Sequence, residues 1–144
     1  MPALPAARLV HFGFHVRDLD RMIGFYERVL GLVVTDRGPN RHGFDVAFMS
    51  NRPDEHHQIV LASGRIGDDV RVINQISFKV DTLEDVRAYY KFLVDEKVAE
   101  LSPVTHGNAW SIYFHDPEGN RLEIYTSSPW YVHQPFGVPI DFSE

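Results

Sequence analysis

Apolar residues fall on alternate positions from Arg8 to Val16, at Val10, Phe12, Phe14 and Val16. They then switch to a spacing of three and four, at Met22, Phe25, Tyr26, Val29 and Leu30. The first period predicts a half-buried strand with His11, Gly13 and His15 on its other face. The second predicts a packed helix, capped by Asp18 or Asp20 and closed by Gly31. From Gln75 the chain does this again, each position offset by 64 (75 − 11). His11 falls on Gln75, Phe14 on Phe78, Val16 on Val80, Leu19 on Leu83 and Tyr26 on Tyr90. A repeat of this length predicts two copies of one supersecondary unit.

The remaining elements follow the same plan. In the first copy, strands are expected at Leu32 to Thr35, across Phe44, Val46 and Phe48, and from His57 to Leu61. Turns are expected at Gly38-Pro39-Asn40 and Asn51 to Glu55, and Gly64 to Asp69 is the one short linker. In the second copy the expected order is strand Val72 to Val80, helix Leu83 to Val94, strand Val98 to Leu101 and a loop at His106-Gly107-Asn108. Strand Trp110 to Phe114, the turn Asp116-Pro117-Glu118-Gly119-Asn120 and strand Arg121 to Thr126 complete it. Each copy is βαβββ, so the fold class is α+β, with the two copies paired around one core. The expectation is a single domain over 1–144: module 1 at about 8–63, module 2 at about 72–127, and a tail over 128–144. Residues 1–7 read as a loose arm. The tail carries Trp130, Tyr131 and Phe136, which predicts that it packs on the body or on a partner.

Alternation also assigns faces. Leu122 and Ile124 pack toward the helix, as do Ile112 and Phe114, leaving Glu123 and Tyr113 on the other side. His11, Gln75, Tyr113 and Glu123 are thereby all aimed at the concave side of the sheet. Each has an ordinary explanation when taken alone, but four convergent polar groups point to a site. Composition narrows what that site holds. With no cysteine, a metal there has only nitrogen and oxygen ligands, and eight histidines are available. A formal charge of −6 argues against nucleic acid. Hydrophobic and charged fractions of 44% and 24% suit a soluble globular protein. No run suggests a signal peptide or a membrane span, so a cytoplasmic protein is expected.

At these residues the chain resembles the vicinal oxygen chelate (glyoxalase/bleomycin resistance/extradiol dioxygenase) superfamily, over about residues 8 to 127. The resemblance implies tandem βαβββ modules forming a cupped, half-open barrel around a divalent metal. Within that superfamily the chain is most similar to type I extradiol catechol dioxygenases. His11-Phe12 resembles their first metal ligand, and His56-His57-Gln58-Ile59-Val60-Leu61 a strand with an active-site histidine, placed at His57. Thr105-His106-Gly107-Asn108-Ala109 resembles the loop with another. Tyr113 and the run from Asp116 to Tyr125 resemble the closing strand with its tyrosine and carboxylate ligand. The implied roles are His11, Gln75 and Glu123 as metal ligands and His57, His106 and Tyr113 as catalytic groups. The implied cofactor is Fe(II) or Mn(II), the substrate a small aromatic diol with O₂, and the assembly a homo-oligomer, dimeric or larger. Gln75 departs from the pattern, since those enzymes carry a second histidine there, and Asn74 is a neighbouring candidate. Glyoxalase-like members accept glutamine but add an acid on the first module's last strand, where Ile59 stands here. A ligand-binding or resistance protein of the same fold, or a glyoxalase-type lyase, is the alternative.

Overall fold

The computed structural model describes residues 4–67 and 73–143 and divides the chain into two compact units, 1–67 and 68–144. The expected start of the second copy's strand at Val72, the end of the linker and Glu144 lie outside the described residues. Each unit contains one helix and one sheet, and neither sheet closes into a barrel. The class is α+β, as expected.

In the first unit, β1 (Phe12–Val16) leads into α1 (Leu19–Leu30), followed by β2 (Val33–Pro39), β3 (Asp45–Ser50) and β4 (Ile59–Ser63). The helix starts where the Asp18 carboxylate accepts the Arg21 amide at 3.0 Å. It ends at Gly31, whose φ of 67° lets the chain turn left-handed without a Cβ clash. The expected periodicity is seen in its buried face, with Met22, Phe25, Tyr26, Val29 and Leu30 all nearly inaccessible. Strand order is β1-β4-β3-β2, with β1 and β4 parallel and the other pairs antiparallel. The in-register neighbours Ala47 and Leu61, and Met49 and Ile59, are fully buried and form the helix-facing layer. Phe48 lies on the opposite face of β3. Strand β1 begins at Phe12 rather than Arg8, and Val10 and Phe12 remain exposed. Strand β2 runs through Pro39, which an edge strand tolerates, so the turn falls at 40–43 instead of at Gly38-Pro39-Asn40.

The second unit repeats the order: β5 (Ile76–Lys79), α2 (Leu83–Asp95), β6 (Ala99–Thr105), β7 (Ala109–His115) and β8 (Arg121–Ser127). Thr82 and Asp85 cap α2 reciprocally. The sheet order is β5-β8-β7-β6-β9, the last being Val138–Pro139 of the tail. The tail packs within its own unit. It adds β9 beside β6, seats Phe142 against Tyr90 and places Trp130 edge-on to Trp110. Ile112, Phe114, Leu122 and Ile124 are fully buried toward the helix. Among the described residues, no helix is long and apolar enough to cross a membrane.

The pairing corrects one correspondence. Gly13 pairs with Val60 in the first unit, and Ser77, its counterpart, pairs with Glu123 in the second. The first-module equivalent of Glu123 is therefore Val60, not Ile59, because the two copies differ by one residue between these strands. Valine is no more a metal ligand than isoleucine, so the first module still contributes no acid there.

Candidate functional site

Of the six expected site residues, His11 and His57 belong to the first unit and the other four to the second. In the second unit β7 and β8 set Tyr113 directly opposite Glu123, with Ser111 and Tyr125 paired one step along the face. Glu123 is only 6% exposed. Its Oε1 accepts the Ser77 hydroxyl at 2.6 Å and the Gln75 amide at 3.2 Å, and its Oε2 accepts the Ser111 hydroxyl at 2.6 Å. Ser77 and Ser111 were not singled out from sequence. The signal was there, since both lie in the same alternate rows as Gln75 and Tyr113, but serine is too common on strands to be noticed.

Tyr113 is buried, and Arg121 lies over its ring at 3.8 Å. Burial, with the charge of Glu123 beside it, pushes its hydroxyl up to about 12, so it stays a donor at neutral pH. That hydroxyl sits 2.7 Å from His106 Nε2. The other ring nitrogen, Nδ1, lies 2.6 Å from the Phe136 carbonyl oxygen. A carbonyl only accepts, so Nδ1 carries the proton, and the neutral ring offers Nε2 as a lone pair to Tyr113.

In the first unit the His11 and His57 rings are 4.1 Å apart, centroid to centroid. His57 Nδ1 is 2.9 Å from His56 Nδ1, and His56 Nε2 is 2.6 Å from Asp36 Oδ2. With His56 neutral, its Nε2–H donates to Asp36 and its bare Nδ1 accepts from His57 Nδ1–H. The Nε2 of His57 is then left as a lone pair. Burial, then the charges of His11 and His56, hold the His57 pKa below its ordinary value, which keeps that lone pair unprotonated. Asp36, twenty residues from His56 on an edge strand, could not be found from local pattern.

The donor chemistry suits a divalent ion. Among the described residues Glu123 has no cationic partner; its three donors are all neutral, and buried carboxylates are normally paired with a cation or a metal. The amide of Gln75 gives its N–H to Glu123, leaving Oε1 as an open oxygen donor. His11 makes no hydrogen bond among the described residues and keeps both ring nitrogens available. Among the described residues no cluster of three or more His, Asp or Glu side chains could hold a metal by itself, so a ligand set there needs a donor of another kind, such as the Gln75 amide oxygen.

The profile of the Glyoxalase/Bleomycin resistance protein/Dioxygenase superfamily matches residues 8–124. Biphenyl-2,3-diol 1,2-dioxygenase 3 of Rhodococcus globerulus is 29% identical over 123 residues, 81% of this chain and 62% of that protein. Lactoylglutathione lyase of Salmonella typhimurium is 25% identical over 122 residues, covering 81% of this chain and 90% of the lyase. The chain spans 62% and 56% of the length of the two Rhodococcus diol dioxygenases it matches. Among solved structures, the fosfomycin resistance protein FosX of Listeria monocytogenes with Mn(II) and sulfate aligns with a TM-score of 0.67 at 20% identity, over 87% of this chain and 96% of that one. A glyoxalase/bleomycin resistance protein/dioxygenase domain from Frankia sp. EAN1pec aligns with a TM-score of 0.69 at 21% identity, over 88% and 96%. At these identities the structural likeness speaks for the fold.

Proposed function

The chain belongs to the Glyoxalase/Bleomycin resistance protein/Dioxygenase superfamily, and from that premise we propose that it is an extradiol-type dioxygenase acting on a catechol-like aromatic diol. The superfamily takes in diol dioxygenases, glyoxalase-type lyases and fosfomycin resistance proteins, Mn(II) standing in the Listeria FosX structure. The observation that carries the narrower reading is the His106 Nε2 to Tyr113 hydroxyl contact at 2.7 Å, on the strand next to a buried carboxylate. A protein that only binds a ligand has no use for an oriented acid–base pair beside a charge.

The residues that would hold a divalent ion, Fe(II) or Mn(II), are His11, Gln75 and Glu123. Such an ion supplies Lewis acidity to the two diol oxygens and redox access to O₂. The chain's own groups do the rest. His57, its Nδ1–H committed to His56, receives a diol proton at Nε2. Tyr113, its one O–H given to His106 Nε2, accepts a hydrogen bond from a diol hydroxyl, so that as its oxygen takes the diol proton its own proton passes to His106 Nε2. Ser77 and Ser111 hold Glu123 in one orientation. The carbon–carbon bond beside the diol breaks and both atoms of O₂ enter the product, an unsaturated acid bearing an aldehyde or ketone.

The test is anaerobic loading with Fe(II) or Mn(II), metal analysis, and a catechol screen with an oxygen electrode. Near-stoichiometric metal, lost in both Glu123→Ala and Gln75→Ala, with one O₂ consumed per yellow ring-opened product, is the expected result. A chain that takes up no divalent metal would overturn the reading. Gln75 favours a second one, since an amide oxygen is harder than imidazole and tunes iron poorly for O₂ chemistry. Metal uptake without oxygen consumption would select a lyase or binding protein.

A further inference from the structure

We propose that the C-terminal segment from Ser128 to Ile140 is a strap that sets the tautomer of His106, making Gln134, Phe136 and Gly137 positioning residues. Its catalytic consequence rests on the reading above; the tautomer itself does not.

The Phe136 carbonyl takes the Nδ1–H of His106 across thirty positions of sequence at 2.6 Å. Gln134 pins the strap just before that carbonyl. Its Nε2 donates to the His106 carbonyl at 2.8 Å and to the Val132 carbonyl at 3.1 Å, while its Oε1 accepts the Phe136 amide at 3.2 Å. Strand β9 pins it just after, pairing Val138 with Thr105 and Pro139 with Val104. Between the two, Gly137 crosses the ring so closely that a Cβ there would stand 3.3 Å from His106 Nδ1 and 3.4 Å from Val104 Cγ1. The carbonyl is therefore held at the imidazole from both sides. With Nδ1–H engaged, the only lone pair of the neutral ring is Nε2, which faces Tyr113. Without the strap, both tautomers are open to the ring, and the Nε2–H form presents Tyr113 with a donor where it needs an acceptor.

The experiment is a long-range ¹H–¹⁵N correlation spectrum of the full ¹⁵N-labelled chain at about pH 8.5, some two units above the ordinary histidine value. His106 signals are assigned by their loss in His106→Gln. The expected wild-type pattern is a protonated Nδ1 and a bare Nε2. Gln134→Ala, which alters an exposed side chain, and Gly137→Val, which pushes on the ring, each shift His106 to a tautomer mixture. Both lower diol turnover at least tenfold with metal uptake unchanged. A wild-type Nε2–H form, or an unmoved Nδ1–H tautomer in both folded variants, overturns the strap. The expected tautomer shift in a protein that turns over no diol leaves the strap standing and removes the dioxygenase reading.

Discussion

Tyr113 concentrates the chemistry of the second unit in one hydroxyl. It donates to His106, lies beside Glu123 and is covered by Arg121. Tyr113→Phe keeps the packing and removes only that donor. The expected outcome is a fold that loses about 1 kcal/mol, the ordinary worth of one hydrogen bond. Turnover falls roughly 100-fold, the lower end of what a positioned proton-transfer group contributes. The pH dependence follows from the raised pKa. An unfolded phenol titrates near ~10, the folded one at about 12. The fold favours the protonated form, so the contribution of Tyr113 is complete below the unfolded value and is lost as pH rises through the folded one. Absorbance titration of the metal-free protein near 295 nm should show Tyr89 and Tyr113 both delayed by burial, and Tyr113→Phe should abolish the latest step; an identical curve for the variant would contradict the burial argument. At this scale the sequence revealed those groups whose type is uncommon on a strand face, such as Glu123 between Leu122 and Ile124. Ser77, Ser111 and Asp36 were illegible because their residue types say nothing until pairing shows what they touch.

Helices were more legible than strands. Both were placed to within about a residue, because each carries its own caps and a period that cannot be confused with a strand. Strand ends depend on pairing, which is non-local. Pro39 is expected in a turn and the strand from Val98 is expected to end at Leu101, yet β2 runs through Pro39 and β6 continues through Pro103 to Thr105. Pro39 is on the edge strand β2, whose pairing with β3 shifts register between Val34 and Asp36. The loop between β6 and β7 offers a test of how this element supports the site. Gly107 there has φ of 77°, and a Cβ on it would overlap the Val132 side chain of the tail. Gly107→Ala is therefore both strained and crowded, and is expected to cost about 1–3 kcal/mol. That corresponds to a fall in Tm of several degrees for a chain of this size. Since Val132 lies on the segment that contacts His106, the same change should loosen the tail, read as faster amide exchange from 128 to 140. An unchanged Tm with unchanged exchange would show that the loop and tail are independent.

The repeat is legible at the level of the whole molecule because a copied unit keeps its strand pairing, Gly13 with Val60 in one and Ser77 with Glu123 in the other, even though the sequence offset slips by one residue between those strands. What the two copies carry on those strands differs: the second has Glu123, hydrogen-bonded to Gln75 and Ser77, where the first has Val60. An ion held through Gln75 and Glu123 binds only the folded state of the unit that carries them. Loading then stabilises the chain by about 2.7 kcal/mol at a free metal concentration of 100 Kd, which raises Tm by roughly 10 °C. The expected result in anaerobic calorimetry with Mn(II) is an upward shift of the transition. His11→Ala, Gln75→Ala and Glu123→Ala should each abolish the shift while leaving the metal-free Tm within a few degrees. If His11→Ala leaves the full shift in place, His11 is no ligand and the proposed three-residue set is wrong.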